Sequence, residues 1–537
     1  MVVSVLLSSQ PPSCAGGEVR TTHAPPLDAP SVATERLASE NAVTPPLPSG
    51  PTAIEPPPDR IVPAGCTVAL ERGVRRLEPT LLAGGAPFRL LRISEAGAML
   101  LDDLLEGAVL GETTAARTFA TTLLDAGMLN PSWPPEAHLG TDQVTVVIPV
   151  RDRPLELKAL LGDLVGLHTI VVDDASRDGD VLRSIAEAHG AIVVRHPISR
   201  GPAAARNSGM ALVTTPFVCF IDSDCRVPAG FLNPLVAHFA DPGVAAVAPR
   251  ISGADDEGFL GRFERSASPL DLGHYPALVR PGGAVSFVPS ATLLLRTSIG
   301  QRPFDEDLSA GEDVDLVWRL AAAGWAVRYE PAVVVEHPAR ATARAWLGQR
   351  RQYGSSAARL EARHGDIAAP ISGSAWTIGA WASVVLGQPL VGASLLGVAW
   401  AILARRLRGV VSSPGRTAWS LAVEGSLRAG PTLARQTART YGPVLLLAGV
   451  VSRRLRRPLA AIAVTSAVSR WRATDRRLNL VTFAAISTLD DLAYGVGVLE
   501  GVAATRRSGA LRPRIVVRSR SFSSGTLRSQ RSGLSRT

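Results

Sequence analysis

The chain has 537 residues, 46% of them hydrophobic and 19% charged, and a formal net charge of +9. At about 100–200 residues per domain this length implies about two to four domains, and the apolar share excludes wholesale disorder. The positive charge does not mark a nucleic-acid surface, because nine arginines and no acid lie between Thr505 and Thr537, so the first 504 residues are formally neutral.

The opening MVVSVLLSS is apolar but has no basic segment before it and no small-residue cleavage pattern after it, so no secretory signal is expected. Residues 1–58 are crowded with Pro, Ser, Thr and Ala and read as a disordered leader. Short apolar runs at Ile61-Val62, Thr67–Leu70 and Phe88–Arg92 lead into Ser94–Leu105, where a Ser start and apolar residues at helical spacing predict a helix. A second helix is predicted near Ala115–Ala126, closed by Gly127. Residues 59–138 therefore read as a small winged-helix-type module. Four cysteines (Cys14, Cys66, Cys219 and Cys225) are too few and too irregular for a disulfide scaffold or a zinc site, and a reducing compartment is expected.

From Gln143 the pattern becomes alternating strand and helix, which predicts an α/β domain over 143–368 with a parallel sheet. Val144–Val150 is a continuous apolar run, as expected of a strand buried on both faces, and Leu155–Val165 follows as a helix. The strand Thr169–Val172 ends in Asp173-Asp174, carboxylates that can accept from a base N–H or ribose hydroxyls; a turn rich in Asp and Ser would read the same way. A helix over Val181–His189 and a strand over Ala191–Val194 come next. Pro202 and three alanines open a helix with a small packing face that could aim its N-terminus and Arg206 toward a nucleotide. The strand Phe217–Ile221 ends in Asp222-Ser223-Asp224, two carboxylates placed to meet a divalent cation that grips a diphosphate, with the neighbouring cysteines packing rather than binding. Another strand is predicted at Val244–Ala248. In Gly311–Leu320 acids open an amphipathic helix whose Leu316, Val317 and Leu320 face inward; the acids suit the helix dipole, and Asp313 suits a general base.

Residues 369–504 read as a helical, partly apolar region. Ala375–Leu386 and Pro389–Leu403 are nearly uncharged and are followed by Arg405, Arg406 and Arg408. Pro443–Val451 and Leu459–Val468 flank a cluster of arginines, and Leu480–Ala503 carries Asp490, Asp491 and Glu500. None is a clean span of about 20 apolar residues, yet the region is expected to associate with a membrane. Residues 505–537 read as a disordered Arg/Ser-rich tail suited to an anionic inner leaflet.

Taken in order, Val147–Val150, Val172–Ser176, Ala205–Gly209, Asp222–Asp224 and Gly311–Leu320 resemble the motifs of glycosyltransferase family 2. The resemblance implies a GT-A (Rossmann-like) nucleotide-sugar domain and inverting chemistry. It implies that Pro149, Asp173, Asp174, Arg206 and Asp222 face the nucleotide sugar. It further implies that Asp222 and Asp224 hold Mg2+ or Mn2+, that Asp313 is the catalytic base, and that Glu312 lies on the acceptor side. Gln349–Tyr353 stands where processive members carry Gln-x-x-Arg-Trp, and here it reads Gln-Arg-Arg-Gln-Tyr. The preceding module, with Pro87–Gly97 and Leu123–Leu129, looks like PqqD-type peptide-recognition units. A PqqD-like module fused to a family 2 domain is similar to the glycosyltransferases of the mycofactocin system. That similarity implies UDP-glucose as donor, a β-linked product that could carry several sugars, and a peptide-derived redox-cofactor precursor as acceptor. It also implies a pathway peptide-chaperone protein as partner, no nucleic acid, and a place on the cytoplasmic face of the cell membrane. The rival readings are a family 2 transferase of cell-envelope polysaccharide or glycolipid synthesis, and a non-catalytic peptide-binding scaffold.

Overall fold

The computed structural model describes residues 51–58, 60–134, 140–254 and 258–516. The expected leader and tail fall mostly outside these residues. The described end of the leader lies against the α/β domain: Thr52 N–H donates to the Arg302 carbonyl (3.0 Å), and the Trp325 indole donates to the Glu55 carbonyl (2.7 Å).

The N-terminal module comprises strands β1 (Thr67–Leu70), β2 (Arg75–Glu78), β3 (Leu81–Gly84) and β4 (Arg89–Arg92), helices α1 (Glu95–Leu105) and α2 (Thr114–Asp125), and strand β5 (Leu129–Ser132). β2, β3 and β4 form an antiparallel sheet, while β1 pairs with β5. The Ser94 and Thr113 hydroxyls accept from Gly97 N–H and Ala116 N–H and cap the two helices, the first at the Ser start that the sequence signals. Leu101, Leu104, Leu123, Leu124 and Met128 fill the core between them.

The α/β domain follows as β6 (Val144–Val150), α3 (Pro154–Asp163), β7 (His168–Asp173), α4 (Gly179–Ala188), β8 (Ile192–Arg195), α5 (Pro202–Met210), β9 (Phe217–Ile221), α6 (Leu232–Val236) and β10 (Val244–Gly253). It continues through α7 (Phe259–Ala267), β11 (Ala277–Leu278), β12 (Thr292–Arg296), α8 (Glu312–Ala322) and β13 (Ala326–His337). The strands form one eight-stranded sheet in the order β11-β13-β10-β12-β9-β6-β7-β8. The expected parallel sheet is in fact mixed. β6 to β9 run parallel, but β12 is antiparallel to both β9 and β10, and β11 is antiparallel to β13. β11 and β12 thus run opposite to β10 and β13, and β12 sits between β10 and β9 with its direction reversed against both. Ala203, Ala205 and Met210 of α5 pack into the core against Val147 and Val172, as the small face predicted.

Beyond the sheet lie α9 (Ala343–His364), β14 (Ser372–Ser374), α10 (Ala375–Val385), α11 (Pro389–Arg406), α12 (Pro414–Ala418), α13 (Gly425–Val451), α14 (Arg456–Arg472), α15 (Leu480–Thr505) and β15 (Arg514–Val516). β15 pairs with β14, so the chain remains ordered twelve residues past the expected end of the helical region. α15 lies tightly on α9. A side-chain carbon on Gly497 or Gly501 would overlap the carbonyl oxygens of Arg351 or Ser355. A buried ion network ties the same elements together. Arg350 on α9 donates to Asp490 on α15 (2.6 Å) and pairs with Glu264 on α7, while Arg439 and Arg470 reach Asp490 from α13 and α14 at 3.2 and 3.3 Å. α11 and α15 are long and apolar enough to cross a membrane by length and composition, but α15 buries Asp490 and Asp491 inside this network.

Candidate active site

The carboxyl ends of β6, β7 and β9 open onto one cavity of about 1440 Å³, and α8, β13 and α9 close it from the other side. Residues at a strand's end project beyond the sheet, which is why the aspartates that follow β7 and β9 border it.

On the β7 side the two adjacent aspartates part company. Asp173 is the last strand residue, is buried, and does not line the cavity. Its carboxylate pairs with Arg195 and accepts from Ser176 N–H (2.9 Å), so its place at the nucleoside is corrected to a clamp on the β7 turn. Asp174 does reach the cavity. It accepts from His196 Nδ1 (2.7 Å), the Ser199 hydroxyl (2.7 Å), Arg200 N–H (2.8 Å) and Gly201 N–H (2.9 Å). Burial opposes its charge, but the Arg200 N–H and the Ser199 hydroxyl outweigh it and hold the carboxyl below the usual range. Asp174 thereby fixes the loop that opens α5. Pro149 lines the cavity beside it.

After β9, Asp222 and Asp224 converge with His337, which ends β13: one ligand atom from each lies within 4.8 Å of the others. His337 was not signalled by any motif, although its position at the end of the apolar run Val333–Val335 is the same strand-end signal that marked the aspartates. Asp224 also pairs with Arg153, and Arg340 lies 4.0 Å away. Burial works against its charge, yet His337 and Arg153 prevail and keep the carboxyl below its ordinary value. Two carboxylates and an imidazole fit a divalent cation, the carboxylates suiting Mg2+ or Mn2+ and the nitrogen favouring the softer Mn2+. Cys225 and Cys219 are buried in the core, as expected of packing residues.

Arg206 does not lie free to meet a nucleotide. It donates to Asp222 (2.7 Å) and to Glu312 (3.0 Å), bridging the metal-side carboxylate and the start of α8. Gly311 adopts φ +83° there, a left-handed turn that a side chain would strain, and it swings Glu312 and Asp313 to the cavity wall. Asp313 accepts from Val314 N–H (2.8 Å) and Ser290 N–H (3.3 Å). Burial and then the charge of Glu312 push its carboxyl up to about 7. Asp315, one turn surface away, is taken up by Arg319 (2.7 Å) and His364 (2.9 Å) and serves the fold.

The far wall joins the Gln349–Tyr353 segment singled out in the sequence to residues of α13 that no motif signalled. α9 contributes Gln349, Gln352 and Tyr353, and α13 contributes Thr432, Arg435 and Gln436. Arg435 makes no hydrogen bond or ion pair among the described residues, and burial, then Arg470 and Arg439, pulls its guanidinium down to about 10. The cavity therefore has a carboxylate-rich end and a polar, cationic end, with Asp313 between them.

The profile described as Glycosyl transferase family 2 matches residues 145–301. The pre-mycofactocin glycosyltransferase of Mycobacterium tuberculosis (strain CDC 1551 / Oshkosh) is 40% identical over 474 residues, covering 84% of this chain and 98% of that protein. The succinoglycan biosynthesis protein ExoU of Rhizobium meliloti (strain 1021) is 30% identical over 171 residues, 29% of this chain and 49% of that protein. Among solved structures, the mannosyltransferase PcManGT from Pyrobaculum calidifontis in complex with GDP-Man and Mn2+ is 20% identical with a TM-score of 0.33, covering 60% of this chain and 86% of that chain.

Proposed function

The chain belongs to glycosyltransferase family 2, among the relatives of pre-mycofactocin glycosyltransferase, and we propose that it transfers glucose from UDP-glucose to a peptide-derived redox-cofactor precursor with inversion at the anomeric carbon. The observation that carries this reading is the meeting, in one cavity, of the Asp222/Asp224/His337 set with an aspartate whose proton affinity lies near neutrality. Identity of 40% along nearly the whole of the relative supports the acceptor class.

Asp222, Asp224 and His337 would hold the divalent cation, which when bound supplies positive charge against the leaving diphosphate. Asp313 takes the proton from the acceptor hydroxyl as its oxygen attacks the anomeric carbon from the face opposite the diphosphate. An α-linked donor then gives a β-glycoside. Glu312, tied to Arg206, lies beside Asp313, and its charge raises the proton affinity that proton removal needs. Gln349, Gln352 and Gln436 offer amide donors and acceptors to the acceptor or to sugars already added to it. The N-terminal module is the natural peptide-recognition unit of this scheme, and the reaction belongs on the cytoplasmic face of the cell membrane.

The test is product analysis. Purified protein with Mn2+, a panel of UDP-hexoses and the peptide-derived acceptor should yield acceptor carrying hexose from UDP-glucose, with β configuration by NMR. An α-linked product, or transfer to lipid-phosphate or oligosaccharide acceptors in its place, would overturn the reading.

A further inference from the structure

The turn between α13 and α14 has no counterpart in the transfer chemistry. Between Glu424 and Asp475 the sequence contains nine arginines and no acid. Four of these, Arg453, Arg454, Arg456 and Arg457, lie at the turn itself. Arg456 donates to the Gly449 carbonyl (3.0 Å), whereas Arg453, Arg454 and Arg457 make no hydrogen bond or ion pair among the described residues. Immediately before them α13 exposes Leu447 (67%), Val450 (67%) and Val451 (88%), spaced at three and four residues and so grouped on one side of the helix. An apolar cavity of about 460 Å³ opens alongside, between α13, α14 and α15, with Leu446, Val450 and Arg456 among its walls. Large aliphatic side chains clustered in water carry a free-energy cost that soluble surfaces avoid unless something covers them.

We propose that this turn docks on an anionic phospholipid bilayer. Its aliphatic side chains enter the acyl boundary, its arginines meet lipid phosphates, and the neighbouring cavity has room for an acyl chain. The pairing of aliphatic and cationic groups selects this occupant. An apolar protein face would leave three arginines without counter-charge, and a free anion would leave the leucine and valines in water, whereas the bilayer interface satisfies both. The docking is peripheral: the apolar stretch Val444–Val451 covers eight residues, far short of the roughly 20 needed to span. This inference rests on the reading that the enzyme works at the cytoplasmic face, and it names the surface that holds it there.

The experiment is co-sedimentation of the full chain with vesicles of equimolar phosphatidylglycerol and phosphatidylcholine, and with vesicles of phosphatidylcholine alone, alongside UDP release with a soluble acceptor. The wild type should bind the anionic vesicles and lose binding as salt rises. Arg453→Gln/Arg454→Gln/Arg457→Gln should bind about 100-fold more weakly, and Leu447→Ser/Val451→Ser should also lose binding. Both variants should retain wild-type UDP release. Equal binding by wild type and arginine variant, no binding of the anionic vesicles, or self-association through this face abolished by the same substitutions would overturn the proposal. Absence of UDP release from the wild type, with vesicle binding intact, would instead count against the transferase reading and leave the docking surface standing.

Discussion

In the proposed reaction Asp313 is the residue on which the chemistry turns, because its surroundings tune it rather than merely place it. Burial and the neighbouring Glu312 charge raise its carboxyl to about 7, where a general base combines availability with proton affinity. A raised value means that the carboxylate is present above about pH 7 and lost below it, so kcat/KM should fall about tenfold per pH unit on the acid side. Glu312→Gln removes one cause of that elevation and should move the acid limb to lower pH; an unmoved limb would mean that Asp313 is not the group titrating. Asp313→Asn should lower kcat by about 10²–10⁴-fold with UDP affinity unchanged, as read by calorimetry. At the metal-side cluster, His337→Ala should weaken Mn2+ binding by at least about tenfold in an EPR titration, and full affinity would remove His337 from the set. The legibility of these residues in the sequence follows their geometry. Asp222 and Asp224 are visible because they follow a strand whose end faces the cavity, and Asp313 because it opens a helix whose start does. His337 lies more than a hundred positions from Asp224 and joins it through long-range pairing, Glu336 and Arg226 exchanging backbone hydrogen bonds beside the two residues. Asp173 misleads because successive side chains along a strand point to opposite faces, so only one of two adjacent aspartates could reach the site.

Elements were readable where local physics decides them. Ser94 caps its helix, and the continuous apolar runs of β6 and β9 fill the sheet centre. The β2–β3 hairpin left no such trace, since Arg75–Glu78 is three-quarters charged and has no apolar alternation, and the antiparallel insertion of β12 depends on long-range pairing. The α9–α15 contact was likewise hidden, because it needs small residues and buried charges on helices far apart in sequence. It makes a firm prediction about stability. Asp490 collects three arginines in a buried network, so Asp490→Ala should strand them and cost about 3–5 kcal/mol in chemical denaturation. A loss under about 1 kcal/mol would show that the network contributes little.

At the scale of the whole molecule the helical region is part of the site. α13 supplies Thr432, Arg435 and Gln436 to the same cavity that Asp222 and Asp224 border. Arg435→Ala/Gln436→Ala should therefore raise the acceptor KM by about tenfold, with donor hydrolysis unaltered. Unchanged acceptor KM would place the acceptor elsewhere. The N-terminal module is fastened to the α/β domain by Arg60, which pairs with Asp125 of α2 and with Asp241, and its sheet packs Leu81 and Leu90 against Leu407 and Val411. The module thus contacts both the α/β domain and the helical region, an arrangement that its own sequence could not announce. The net charge belongs to a tail lying mostly outside the described residues, while the arginines of α13 and α14 are balanced by acids elsewhere in the neutral first 504 residues.

Mn2+-dependent release of UDP in the presence of acceptor is the decisive measurement for the proposed transfer. The wild type should release UDP from UDP-glucose stoichiometrically with glycosylated acceptor, and Asp222→Asn/Asp224→Asn should fold and yet release none above background. Release by the double variant at the wild-type rate would contradict it.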